Sequence, residues 1–461
     1  MKQRHESSSA DGKMSRRGFV QAGGGAVMGG ALSFPLLQGN RPQAEEEQPK
    51  EPPRIREHRT LGRTGFRVSD IAMGGTRNGD STVVRYAYDQ GINYFDTAEG
   101  YMRGSSETII GEALKHMDRK KVFITTKIHL SEQDTEETVR DRFEKCLGRL
   151  KTEYVDAFFM HGPSDVATVK HEGFHAATKK LKADGRLRHV GVSSHGSRWG
   201  QRGGMEEVLG AAAEDGRFDV MLLVYNFMNR EPGEKVLAAC KEKNIGTTAM
   251  KTAPGVLAVE PIDPENLTED QLSSVKRMEE RGMSREAAIE RLQRGAEREK
   301  ESVEKTRPFA EKYKIRTKDQ LRRTSVQWVL ENPDMHTACV SFADFDLVDK
   351  ILAISGKRLA KADHEFLRDY RYAFERQYCR HACDGCAGRC PERLPVSSIM
   401  RYAYYFQEQG REKFAMAKYA ALGGRDASHC EDCDAPCDEA CPFGVSIQGQ
   451  LRRAHSLLTL A

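Results

Sequence analysis

The 461-residue chain has almost no excess of one charge: 72 Lys and Arg stand against 68 Asp and Glu, a formal net of +4. No basic block is interleaved with aromatics, so the chain offers no electrostatic case for binding nucleic acid. Long undiluted apolar stretches are also missing. The run from Phe19 to Leu37 is broken by Gly23, Gly24, Gly25, Gly29 and Gly30, which makes it marginal as a membrane span. No Gly-x-Gly-x-x-Gly turn follows the first strand-like segment, so the dinucleotide fingerprint of an open doubly wound sheet is absent. A mean hydropathy of −0.64 with 30% charged residues suggests a soluble protein with well-solvated helices.

What is present begins with a basic, polar stretch ending in Ser15-Arg16-Arg17-Gly18-Phe19-Val20, followed by the weakly apolar run. That layout reads as a secretory signal, and the paired arginines resemble the twin-arginine type, which carries folded proteins across the membrane. Residues 1–44 are therefore expected to be signal and tail, and 45–57 an acidic, Pro-rich linker. The expected destination is the periplasm, or the membrane surface if the signal is not cleaved, and the export machinery is then a partner.

From Val68 onward short apolar runs alternate with amphipathic stretches. Candidate strands are Val68–Met73, Asn93–Thr97, Val122–Lys127, Val155–His161, His189–Ser193, Val220–Tyr225, Gly246–Lys251 and Thr337–Ser341. Candidate helices include Ser105–His116, Thr135–Leu150, Asp165–Ala183 and Asp344–Ala353. Eight such repeats predict an α/β fold, a closed (β/α)8 TIM barrel over 58–360. A charged insertion at 254–316 follows the seventh strand, either as a solvated helical excursion or as a cover for the mouth of the barrel.

Four residues stand at or just beyond strand ends that a barrel brings to one pocket: Asp96, Tyr101, Lys127 and His161. Each alone has a structural explanation, as a turn cap, a packed ring, a surface charge or a core histidine. Together they suit carbonyl reduction. A phenol protonates the oxyanion left by hydride transfer, a neighbouring ammonium lowers the phenol's pKa, a carboxylate holds the ammonium, and an imidazole positions the carbonyl oxygen.

Phe95-Asp96-Thr97-Ala98 with Tyr101, then Ser106-Glu107 and Gly111-Glu112-Ala113-Leu114, closely resembles the first signature of the aldo/keto reductase family. The intervals separating Asp96, Lys127 and His161 fit as well, and the resemblance covers about 58–355. It implies a barrel, an NAD(P) cofactor at the strand ends, a small carbonyl or alcohol substrate, and the four roles just given. It also implies cofactor contacts at Ser193, Ser194, Tyr225 and Asn226. Three departures stand out. Ser194 replaces a common asparagine, and Leu222 and Leu223 precede Tyr225-Asn226 where the family often has glutamine. After the last strand, Ser341-Phe342-Ala343-Asp344-Phe345-Asp346 carries two acids where a basic segment usually grips a 2′-phosphate, which weakens the case for NADP.

Eight of the eleven cysteines form two runs, Cys379-x3-Cys383-x2-Cys386-x3-Cys390-Pro391 and Cys430-x2-Cys433-x3-Cys437-x3-Cys441-Pro442. The other three, Cys146, Cys240 and Cys339, read as buried structural residues. Disulfides, structural zinc and iron–sulfur clusters are all open for the eight. The Cys-Pro endings resemble the bacterial ferredoxin run. That resemblance implies a C-terminal, mainly helical ferredoxin-like domain over 361–461, with helices at Tyr402–Phe406 and Ile447–Leu458, holding one or two 4Fe-4S clusters. It also implies that the last cysteine of each run serves the other site: Cys379, Cys383, Cys386 and Cys441 in one, Cys390, Cys430, Cys433 and Cys437 in the other. Two functions follow from these readings. One is a nicotinamide-dependent oxidoreductase carrying clusters, with a redox partner protein. The other is an exported iron–sulfur electron-transfer or redox-sensing protein on an inactive barrel.

Overall fold

A computed structural model describes residues 53–461, apart from 76–79, 197–202, parts of 256–317, 382, 384, 431–432 and 460–461. The expected export signal (1–44), the front of the linker and much of the insertion lie outside the described residues.

Eight parallel strands close into a barrel in the order β10-β3-β4-β5-β6-β7-β8-β9. They are β3 (Ile71–Met73), β4 (Tyr94–Asp96), β5 (Phe123–Ile128), β6 (Val155–His161), β7 (Leu187–Ser194), β8 (Val220–Val224), β9 (Gly246–Met250) and β10 (Thr337–Val340). β5, β6 and β8 are buried along their whole length, as strands covered on both faces must be, and β8 reads as a continuous apolar run. The expected strand Val68–Met73 is two strands instead. β2 (Arg67–Ser69) pairs antiparallel with β1 (His58–Thr60) outside the barrel, and only Ile71–Met73 joins it. The break falls at Asp70, whose buried carboxylate accepts from Ser355 Oγ at 2.8 Å and Gly356 N at 2.9 Å.

The surrounding helices are α1 (Ser81–Asp89), α2 (Ser105–Leu114), α3 (Glu136–Leu150), α4 (Val166–Val169), α5 (Glu172–Ala183), α6 (Met205–Asp215), α7 (Glu231–Glu242), α8 (Lys318–Glu331) and α9 (Phe345–Leu352). The expected helix Asp165–Ala183 is divided. Asp165 caps α4 by accepting from Thr168 N, and His171 starts α5 afresh by accepting from Phe174 N.

Beyond the barrel, α10 (Lys361–Phe374) leads into the cysteine-bearing segment, whose helices include α11 (Val396–Gln407), α12 (Glu412–Ala420) and α13 (Ile447–Leu458). α10 is joined to the barrel by an apolar cluster. Phe366, Tyr370 and Phe374 pack with Phe309 and Leu321, and Phe227 brings in Trp328. A second core, built on Ile399, Ala415, Tyr419, Ile447 and Leu451, lies within the cysteine-bearing segment.

The two parts meet at the C-terminal end of the strands, where a barrel presents its site. Asn229, in the loop after β8, donates to His381 O at 2.5 Å, and Arg380 donates to Met228 O at 3.2 Å. Lys251, just past β9, lies under the rings of Tyr404 and Tyr405, 4.7 and 4.4 Å from their centroids. At the start of the insertion, Gly255 approaches Glu408 and Tyr404 so closely that a Cβ would meet both side chains. α11 therefore roofs the mouth of the barrel.

Candidate active site

In-register parallel neighbours point the same way, and side chains alternate along a strand. Asp96 is in register with Thr125, Lys127 with Phe159, and His161 with Ser193. Asp96, Lys127, His161 and Ser193 therefore share the inner face. Gly191, below Ser193, leaves room for Phe159: a Cβ there would lie 2.5 Å from the ring.

Lys127 is fully buried. Its Nζ lies 2.6 Å from Asp96 Oδ1 and 2.7 Å from Oδ2, and it donates to Thr97 O at 2.6 Å. Asp96 also accepts from Thr125 Oγ1 at 2.6 Å. The pair is thus held by several hydrogen bonds, which burying two opposite charges requires. Tyr101 arrives on a short turn, Tyr101–Gly104, in which Met102 and Arg103 take left-handed backbone angles (φ 51° and 56°). Such strain persists only where surrounding structure enforces it. Here the next helix is pinned by the Thr97–Ser106 hydroxyl contact at 2.7 Å and by the buried Glu107 bonded to Arg149. The Tyr101 ring rests on Gly75, where a Cβ would come within 2.7 Å of it. Lys127 Nζ is 5.1 Å from the ring centroid, and His161 meets the ring edge-on at 5.6 Å. His161 also stacks on His129 at 4.0 Å. Asp96, Tyr101, Lys127 and His161 meet in one cluster.

One electrostatic expectation is overturned. Lys127 was expected to pull the Tyr101 phenol down, yet burial, reinforced by Asp96 and Tyr405, pushes it well above the ordinary tyrosine range. Asp96 neutralises the ammonium before the phenol feels it, and the phenol stays protonated.

The residues expected at the cofactor divide. Ser193 Oγ is buried with no hydrogen-bond partner in the structure, so a donor and acceptor faces the pocket unsatisfied. Ser194 is committed locally, its Oγ accepting from Gly196 N at 3.1 Å. Tyr225 faces outward, which corrects its expected role. Ser193 is in register with Leu222, so alternation turns Leu222 and Val224 inward and Tyr225 out. There its hydroxyl accepts from Asn332 Nδ2 at 3.0 Å and its ring lies against Trp328. Asn226 is a turn residue: Nδ2 donates to Lys251 O, and Oδ1 accepts from Met228 N and Asn229 N. Asp344, expected to oppose a 2′-phosphate, spends its carboxylate capping α9 through Leu347 N at 2.8 Å.

Among the described residues no disulfide joins any of the eleven cysteines. Cys146 and Cys240 are buried in the barrel core as expected. Cys339 is only partly buried and lies beside Gly74, within reach of Asp96 and Lys127 at the pocket. Cys379, Cys383, Cys386 and Cys441 line one cavity with Val396, Pro442, Phe443 and Ile447. Burial and the other three thiols push Cys379 up. Burial, with Cys390, Cys437 and Cys433 nearby, pushes Cys430 up to about 12. The eight thiols thus gather in two groups across the two runs. Among the described residues, no group of three or more His, Cys, Asp or Glu is arranged to hold a single metal ion.

Sequence reasoning missed Lys251, Tyr405 and Arg411, which join the mouth from two separate segments, the end of β9 and the α11–α12 turn. Tyr405 and Arg411 are among the nearest ionisable neighbours of Tyr101.

The chain is similar to several known proteins. An NADH-specific methylglyoxal reductase of Escherichia coli (strain K12) is 23% identical over 343 residues, 69% of this chain and 97% of that protein. Probable aldo-keto reductase 1 of Glycine max is 27% identical over 205 residues, covering 40% of this chain and 56% of its relative. A crystal structure of an aldo-keto reductase from Klebsiella pneumoniae in complex with NADPH has a TM-score of 0.45 at 18% identity, covering 69% of this chain and 95% of that one. The profile described as Aldo/keto reductase family matches residues 76–370, which take in seven of the eight barrel strands and the four clustered side chains. The chain therefore belongs to the aldo/keto reductase family of oxidoreductases.

Proposed function

We propose that the protein is a nicotinamide-dependent reductase of small carbonyl compounds, with two thiol sets for 4Fe-4S clusters, exported by the twin-arginine route. The observation that carries the reductase reading is the buried Lys127–Asp96 pair beneath Tyr101 and His161. An inactive barrel has no need to keep two opposite charges buried under a protonated phenol. This favours an enzyme over an electron-transfer protein on an inert scaffold.

Ser193 Oγ fits the nicotinamide carboxamide, because it is a buried polar atom with no other partner. The nicotinamide, when bound, supplies the hydride. Everything else falls to the chain's own side chains. His161, fixed by stacking on His129, orients the carbonyl oxygen. Tyr101, held protonated by burial, delivers the proton from its hydroxyl to that oxygen. Lys127, anchored by Asp96, packs beneath the phenol ring and holds it in place. The acid at Asp344 and the NADH-specific relative both support NADH over NADPH. Tyr101→Phe should abolish carbonyl reduction while leaving cofactor binding intact. Retained activity would sink the reading.

For the thiols, the crossed grouping supports clusters. Zinc draws four ligands onto one ion, whereas a cubane spreads its four thiolates over four irons. Thiols that surround a cavity without converging on a point suit the second. Iron and acid-labile sulfide in the purified protein test this, and zinc without sulfide would refute it. The export reading rests on Arg16-Arg17 with the Gly-rich run after it. Fractionation of the native host, with an Arg16→Lys/Arg17→Lys control, tests it.

A further inference from the structure

The roof of the pocket carries two cations that the proposed chemistry does not use. Lys251 leaves β9 in a left-handed backbone conformation, φ 56°, unusual for a residue with a side chain. Its Nζ sits between the rings of Tyr404 and Tyr405 and hydrogen-bonds the Tyr405 hydroxyl. Arg411 lies just beyond α11, its guanidinium 3.9 Å from the Phe414 ring centroid and 5.3 Å from that of Tyr405. Tyr405, Tyr101 and Lys251 are among the ionisable groups within reach of Arg411. Around Lys251 the charged neighbours are Arg401 and Arg411, both of the same sign. Among the described residues, neither Lys251 nor Arg411 forms an ion pair with a carboxylate.

Cations drawn together and partly desolvated repel one another, and need an anion to offset the cost. Burial already holds both Lys251 and Arg411 below their ordinary ranges. The rings alone are weak compensation, since a cation–π contact is worth about 0.5–2 kcal/mol. Through Tyr405, both cations border Tyr101, the proposed proton donor.

We propose that Lys251 and Arg411 form an oxyanion site in the roof of the catalytic pocket, and that it recognises the carboxylate of an anionic carbonyl substrate. This rests on the reductase reading and narrows it to oxo acids. An ammonium and a guanidinium together match a carboxylate in charge and in bonding geometry. The cysteine-bearing segment thereby contributes a specificity residue, Arg411, to the barrel's reaction.

The test uses the full chain with succinate semialdehyde and its methyl ester, which differ in the charge. The acid should be preferred in kcat/KM by about a hundredfold, and Lys251→Met and Arg411→Met should each cut that preference about tenfold. Arg411→Lys should restore part of it. Succinate, a non-reducible probe, should bind by calorimetry to the native chain and more weakly to both Met variants. An acid-to-ester ratio near one, or one unmoved by either variant, overturns the proposal. If Lys251 only latches the roof through its two rings, Lys251→Met lowers the melting temperature and leaves the ratio alone, which also overturns it. If the variants weaken NADH binding while the ratio holds, the anion recognised is the cofactor's diphosphate and the substrate assignment falls. If the native chain turns over neither compound, the reductase reading fails separately, and succinate binding still decides whether the anion site exists.

Discussion

Lys127 Nζ and Asp96 Oδ1 lie 2.6 Å apart with almost no exposure to water, at the ends of adjacent strands. Removing one partner strands the other as a bare buried charge. Asp96→Asn should therefore destabilise the fold by about 3–5 kcal/mol in chemical denaturation and reduce kcat sharply. A loss below about 1 kcal/mol, typical of an exposed pair, would show that water reaches the site.

Tyr101 sets the pH response of reduction. Its phenol is pushed above the usual tyrosine range, so the acid form persists as pH rises. kcat for reduction should show no falling limb from neutrality to about pH 9, below even an unperturbed tyrosine pKa. A falling limb with a midpoint near pH 8 would contradict this and restore the expected lowering by Lys127.

The two thiol groups predict crossed effects on iron content. Cys441 closes the second run but faces Cys379, Cys383 and Cys386. If each group holds a cluster, Cys441→Ala should disturb the same signal in electron paramagnetic resonance as Cys383→Ala, and lower iron by roughly half. Cys437→Ala should disturb the other signal. Pairing of Cys441 with Cys437 in this assay would refute the crossed arrangement.

His336 ties acid sensitivity to the barrel floor. Burial lowers its pKa to about 4, and its Nδ1 accepts from Thr247 N at 3.0 Å, which requires the neutral ring. Below the unfolded value of about 6.5 the unfolded chain takes the proton and the folded one does not. Stability from this residue is therefore full above that value and is lost as pH falls toward 4. The melting temperature should drop between those limits, and His336→Asn should flatten the drop.

Much of the barrel was legible because strands buried on both faces have little room for polar residues, so Val220–Val224 reads as a plain apolar run. The four clustered residues were legible for the converse reason: Lys127 ends such a run and must find a partner. β1 escaped notice because a three-residue strand such as His58–Thr60 carries no pattern, and β2 was read as the front of one longer strand, Val68–Met73. Tyr225 was misplaced because inward and outward positions differ by one residue, and only the register with Ser193 fixes which is which. Lys251 and Arg411 had no local signature, since their meaning arises where distant segments touch.

The ring cluster of Phe309, Phe366, Tyr370 and Phe374, with Phe227 and Trp328, has a consequence for how this protein can be dissected. A chain cut after α9 would leave Phe227 and Trp328 facing water where α10 had covered them, and would also lose the roof of its pocket. The reductase half is therefore no detachable module with an accessory tail. Its solubility and its choice of substrate are both borrowed from the polypeptide that follows it.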